Sequence, residues 1–199
     1  LEFSKFGTTT GEAGGKMNGE ANGLAVNRTG AGGVEAGETY AAGYRESRIQ
    51  EFTKDGAFVR TWGKDVVKPG EPNDIGTGFE ICEVASECKN GVQSGEAGAI
   101  GQSRSIAVDQ GTGNVYVADG SNNRIDVYSA KGRFEGAFGW NTKIIGANEE
   151  LQFCTGATEC QAGGTTNLAG GFFSLFQGGV AVDPTNGDLW VAGNNHRLD

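Results

Sequence analysis

Three stretches of this 199-residue chain repeat one another. A unit that recurs must bury its apolar faces against its own copies rather than in one central core, so the repeat governs the fold. The first copy runs through Leu24-Ala25-Val26-Asn27, Tyr40-Ala41-Ala42-Gly43, Arg48-Ile49-Gln50-Glu51-Phe52 and Phe58-Val59-Arg60-Thr61-Trp62-Gly63. The second runs through Ile106-Ala107-Val108-Asp109, Asn114-Val115-Tyr116-Val117-Ala118-Asp119, Asn123-Arg124-Ile125-Asp126-Val127-Tyr128 and Phe134-Glu135-Gly136-Ala137-Phe138-Gly139. The third has Val180-Ala181-Val182-Asp183, Asp188-Leu189-Trp190-Val191-Ala192 and Asn195-His196-Arg197-Leu198. Every run is strand-sized, alternating or fully apolar, and Gly, Asn and Asp separate the runs. Four-stranded antiparallel meanders require that arrangement.

Composition agrees with an all-β chain. Glycine is abundant at 36 residues and proline scarce at 3, without a collagen-like period, so the glycines act as turn residues that supply positive φ. A hydrophobic content of 37% is enough for a core. The formal charge of −9 opposes contact with polyanions, so nucleic acid is not an expected partner. No apolar run approaches the roughly 20 residues of a membrane-spanning helix, and none is expected.

The repeat resembles the NHL repeat, whose form is an "xAVD" strand, a "VYVAD" strand, an "xxNRI" turn into a third strand, and an outer strand ending in "FG". Residues 106–139 match it almost throughout, and the likeness covers roughly residues 22–63, 103–140 and 178–199. It implies blades of a β-propeller, with the first strand at the central channel and the fourth at the rim. The expected fold is all-β: a β-propeller of four-stranded antiparallel NHL-like blades, with about three blades' worth present. Expected divisions are an outer strand of a preceding blade at 1–7, blades at 22–63 and 103–140, an incomplete blade at 178–199, and insertions at 64–102 and 141–177. Stacked blades account for Val108, Val117, Ile125 and Phe138 as apolar contacts between neighbours. Asn27, Asp109 and Asp183 end the first strand of each copy and are expected to accept turn N–H bonds. Arg48, Arg124 and Arg197 recur before the third strand. They are expected at blade edges, bonded to backbone carbonyls or neighbouring carboxylates.

Three blades do not close a ring by themselves, since single-chain propellers need about four or more. Either the chain is a piece of a longer repeat protein or copies complete one another, as a homo-oligomer or a head-to-tail filament.

The two insertions also resemble each other. Phe79-Glu80-Ile81-Cys82 leads to Cys88-Lys89-Asn90-Gly91, and Leu151-Gln152-Phe153-Cys154 leads to Cys160-Gln161-Ala162-Gly163, with five residues between the cysteines each time. Four cysteines allow three pairings, and the duplicated spacing favours Cys82 with Cys88 and Cys154 with Cys160. A four-thiolate zinc site is the competing reading, although zinc pairs usually have about two to four intervening residues. Disulfides imply export, to the cell surface or beyond. The sequon Asn27-Arg28-Thr29 is a glycan acceptor sequence, set against the turn role of Asn27.

Relatives of NHL propellers include metal-dependent lyases and, more distantly, lactonases, whose ligands are several His or acidic residues in the channel. This chain has one histidine, His196, at a turn position, and no His paired with a Ser or Cys nucleophile. Asp183, Asn186 and Asp188 are close enough in sequence for calcium, and a plain β-turn explains them equally. The expected function is therefore a non-catalytic extracellular interaction or structural module without a cofactor or metal. Its partner would be a protein, a glycan or further copies. The alternative is part of a metal-dependent lyase or lactonase-like propeller with its ligands in other blades.

Overall fold

The computed structural model describes residues 10–18, 21–144, 150–156, 158–166 and 178–193. Among these residues the fold is all-β, with three antiparallel sheets and no helix. The first sheet holds β1 (Ala21–Asn27), β2 (Glu38–Gly43), β3 (Arg48–Phe52), β4 (Phe58–Lys64) and β5 (Phe79–Cys82) in that order. The second repeats the meander with β6 (Ser103–Val108), β7 (Val115–Asp119), β8 (Arg124–Tyr128), β9 (Phe134–Trp140) and β10 (Leu151–Cys154). The third pairs β11 (Gly179–Val182) with β12 (Leu189–Ala192).

Each full sheet therefore carries five strands where the repeat alone predicts four. The fifth is the first arm of the cysteine insertion: β5 runs back along β4 with Trp62 opposite Ile81, and β10 along β9 with Phe138 opposite Phe153. An outer fourth strand would otherwise show a row of unpaired N–H and C=O groups, and the insertion covers that edge.

The copies agree down to their irregularities. Register shifts fall between Glu51 and Phe52 in one sheet and between Val127 and Tyr128 in the other. Left-handed backbone occurs at Ser47 and Asn123, each just before the repeated arginine, and at Asp65 and Asn141, each just after the fourth strand. Three of these four are Asn or Asp, whose short polar side chains tolerate that conformation.

Sheets stack face to face, and β1, β6 and β11 lie side by side. Tyr40, Ala42, Ile49 and Trp62 of the first sheet meet Ile106, Val108, Val115, Val117 and Tyr128 of the second in one buried cluster. Ala118 and Ile125 then meet Val180 and Val191, with Tyr116 and Phe138 beside them. Five aromatic rings join the first two sheets: Tyr40 lies 5.9 Å from Trp62, Trp62 5.9 Å from Tyr128, and Phe79 and Phe134 flank Tyr128 at 6.0 and 5.7 Å. Gly132 closes the β8–β9 turn at φ 82° directly beneath the Trp62 ring. A Cβ there would stand 2.5 Å from Trp62 Cε3, so this turn has no room for a side chain.

Candidate functional site

The chemistry-bearing residues gather where each insertion leaves and rejoins its sheet. In the first insertion, Val67 N–H donates to Glu80 Oε2 at 2.8 Å, tying the outgoing arm to β5. In the second, Lys143 N–H donates to Gln152 Oε1 at 2.9 Å. Disulfides Cys82–Cys88 and Cys154–Cys160 then close each loop. With all four cysteines bridged, the thiolates of the zinc reading are not there. By loop entropy each short bridge contributes about 2 kcal/mol. The chain returns at Gly91 and Gly163, whose N–H groups donate to Glu46 O at 2.8 Å and Asn122 O at 2.6 Å. Both glycines cross the backbone closely: an added Cβ would lie 2.2 Å from Ser47 O or 2.5 Å from Asn123 O.

Beneath each crossing sits the repeated arginine. Sequence reading puts Arg48 and Arg124 at blade edges, bonded to backbone carbonyls or neighbouring carboxylates; the structure has both kinds of partner and buries both side chains completely. A strand-end position becomes interior because two loops close over it. Arg124 donates from Nη1 to Gly95 O at 2.5 Å and Gln161 O at 3.0 Å, and from Nη2 to Glu96 O and Ala99 O at 2.8 Å. Its Nε meets Asp126 at 2.8 Å. Arg48 does the same with Glu12 O, Lys16 O at 2.8 Å and Lys89 O at 3.1 Å, and its Nε meets Glu46 at 3.0 Å. Each guanidinium thus binds the segment that precedes its sheet and the residue that follows the second cysteine of its insertion. Its planar fork of five donors suits several fixed carbonyls at once.

Electrostatics follow from this burial. Burial lowers the pKa of Arg48, and Glu46 only partly offsets it. At Arg124 burial also opposes the charge, but Asp126 and Asp119 outweigh it and the pKa ends above its ordinary value. Burial pushes Asp126 well above the usual carboxylate range, with Arg124 opposing and Asp119 reinforcing the rise.

A comparable group lies beside the rim of the first sheet. Arg60 Nε contacts Glu51 at 2.8 Å and Arg60 Nη1 contacts Glu83 at 3.2 Å. Burial pushes the Glu51 carboxyl up to about 8, and the neighbouring Glu38 carboxyl reinforces it. The Arg60 contact taken alone would lower that pKa, and burial outweighs it. Because the folded chain holds this proton more tightly than the unfolded chain, the stabilisation is complete below about pH 4.5 and is lost as pH rises towards 8. The unfolding free energy from urea titrations should therefore fall by on the order of 3–4 kcal/mol between about pH 5 and 8. Glu51→Gln should flatten that slope, and an unchanged slope would show that Glu51 is not its source.

Arg60 also lines a groove of about 730 Å³ between the first insertion and the β8–β9 turn. Phe79 and Ile81 contribute apolar lining, and Lys131 and Arg133 line it from the β8–β9 turn. Glu80, also lining it, is committed to Val67 N–H and Ile75 N–H.

At the C-terminal ends of β1, β6 and β11, Asn27 Oδ1 accepts from Gly30 N–H, Asp109 Oδ1 from Gly111 N–H and Asp183 Oδ1 from Thr185 N–H, at 2.8 to 2.9 Å. Asn27 is fully buried, and the amide nitrogen that would carry a glycan donates to Ala31 O at 2.8 Å. The folded protein therefore does not offer it for glycosylation. Asn186 and Asp188 bond to each other within their turn, Nδ2 to Oδ2 at 2.7 Å. Arg197, His196 and the opening segment 2–7 lie outside the described residues. Among the described residues no cluster of three or more His, Cys, Asp or Glu is placed to hold a metal, and no helix is long and apolar enough to cross a membrane.

Sequence reasoning missed the preceding segments that the arginines grip. A signal was present: Gly-Glu-Ala-Gly occurs at 11–14 and again at 95–98, ahead of each full sheet. No protein-family model matches the chain, and no curated protein matches it.

Proposed function

We propose that this chain is part of an NHL-type β-propeller and acts outside the reducing cytosol as a non-catalytic module that presents its rim and faces to a macromolecular partner. The observation that carries this reading is the fate of the repeated charged residues. Arg48, Arg124, Glu46 and Asp126 are fully or almost fully buried and committed to backbone carbonyls or to one another, so they brace loops and do not meet a substrate. The side-by-side order of β1, β6 and β11 supports a radial arrangement with first strands innermost. The two disulfides that close the insertions support an oxidising location.

A metal-dependent lyase or lactonase would need a channel metal. Equilibrium dialysis of the protein against Ca²⁺, Zn²⁺ and Mn²⁺ separates the two readings. We expect no stoichiometric uptake. One-to-one uptake of any of these ions, abolished by substituting acidic residues at the inner strand ends, would overturn the non-catalytic reading.

A further inference from the structure

The groove beside the first insertion is lined by two adjacent sheets within the chain, not by an end face of the stack. Arg60, Phe79, Ile81 and Glu83 reach it from β4, β5 and the start of the disulfide loop, and Lys131 and Arg133 from the β8–β9 turn. Packing between the sheets sets its shape. Phe79 stacks on Tyr128 at 6.0 Å, and Arg60 Nη1 lies 3.5 Å from Lys131 O. The site is therefore formed before a ligand arrives.

Its charges are not those of the repeat. The β3–β4 and β8–β9 turns close with the same bond, Gly56 N–H to Thr53 O and Gly132 N–H to Ser129 O at 2.9 Å, which sets Lys131 against Asp55 and Arg133 against Ala57. The matching strands set Arg60 against Gly136 and Glu83 against Thr155. A fold that accepts Asp, Ala, Gly and Thr at these places does not need the charges, in contrast to Arg48 and Arg124, which recur. Three cations nonetheless converge on one groove in a chain of formal charge −9. Arg60 is engaged by Glu51 and Glu83, and Arg133 donates from Nε and Nη2 to Glu135 Oε1. Lys131 has no carboxylate in salt-bridge reach among the described residues.

An available ammonium beside apolar lining fits a ligand that carries carboxylates next to an apolar group. The volume of about 730 Å³ admits several residues of an extended peptide. A glycan is matched less well, because its many hydroxyls need many polar partners. Asn73 and Ser129 are the neutral polar side chains lining the groove, and the Glu80 carboxylate is already committed to Val67 and Ile75 N–H.

We propose that this groove binds an acidic peptide segment of a partner protein, with carboxylates at Lys131 and Arg133 and an apolar side chain against Phe79 and Ile81. This rests on reading the chain as an interaction module and names the chemistry of its partner.

Fluorescence anisotropy of the whole protein with a labelled pentapeptide, Asp-Leu-Glu-Phe-Asp, tests it. Binding should saturate with a Kd below about 1 mM and weaken as ionic strength rises above about 0.15 M. Lys131→Asp combined with Arg133→Ala gives the β8–β9 turn the residues of its β3–β4 counterpart, and should weaken binding by about tenfold or more. With wild-type protein, a peptide with lysine in place of each acidic residue should not bind, and one with alanine in place of Leu and Phe should bind more weakly. These two controls do not depend on the variant. No saturation with wild type, equal affinity of the double variant, equal binding of either control peptide, or tighter binding of an oligogalacturonate than of the acidic peptide overturns the proposal. Metal uptake in the dialysis experiment would instead overturn the non-catalytic reading and leave peptide binding standing, whereas absent peptide binding without metal uptake would remove the groove's role alone.

Discussion

Arg124→Met should destabilise the protein by about 3–5 kcal/mol, measured as a fall in the urea unfolding midpoint. The side chain of Arg124 is fully buried and its guanidinium serves four carbonyls, of Gly95, Glu96, Ala99 and Gln161, besides Asp126. Methionine fills much of the volume but leaves those acceptors without donors in a place water does not reach. The loss spreads over both insertions, because Gly95 and Ala99 belong to the first and Gln161 to the second. Arg124→Lys should recover only part of it. An ammonium has three donors on one atom and cannot span carbonyls gathered around two separate nitrogens. A cost below about 1 kcal/mol for Arg124→Met would mean that water replaces the guanidinium, and the bracing role would fail.

Trp62→Ala should cost a similar amount, about 3–5 kcal/mol, for a different reason. Among the described residues Trp62 is the largest fully buried side chain, and it stands between Tyr40 and Tyr128, with Gly132 against its ring. Truncation opens a cavity at the centre of the contact between the first two sheets, where the surrounding backbone is held by two ladders and cannot collapse. Trp62→Phe should cost less, about 1–3 kcal/mol, since it keeps a ring in the stack and removes an indole Nε1 that has no partner among the described residues. Phe138 occupies the equivalent place in the second sheet and is only partly buried. Phe138→Ala should therefore cost clearly less than Trp62→Ala. Equal costs would show that the contact between second and third sheets is as complete in solution as the first.

Much of the architecture was legible in the residues. The alternation in Val115-Tyr116-Val117 encodes a strand with two covered faces, and Asp109 or Asn27 followed by glycine encodes the turn after it. Equal cysteine spacing in two related segments pointed to two local bridges, and these are the bridges present. The fifth strands were not legible. Phe79-Glu80-Ile81-Cys82 reads as a strand-like run, but nothing in its four residues says that it turns back along β4. That Arg48 and Arg124 bond backbone carbonyls and a carboxylate was expected, but their burial was hidden, because the carbonyls that close over them come from loops distant in sequence.

What the sequence determined by itself was local: strand periods, turn residues, the repeat that matches copy to copy, and the loop each disulfide closes. These depend on side chains within a few positions of one another. Tertiary structure alone decided which edge each insertion covers, that the arginines lie inside, and that Arg60, Phe79 and Lys131 share one groove. It also decided which of three similar apolar strand pairs stay open, with Leu24, Val26 and Trp190 exposed while Ile106, Val108 and Tyr40 are buried. The physical reason is that burial belongs to neighbours, and the neighbours of a repeated residue depend on where its sheet stands in the stack rather than on the residue itself.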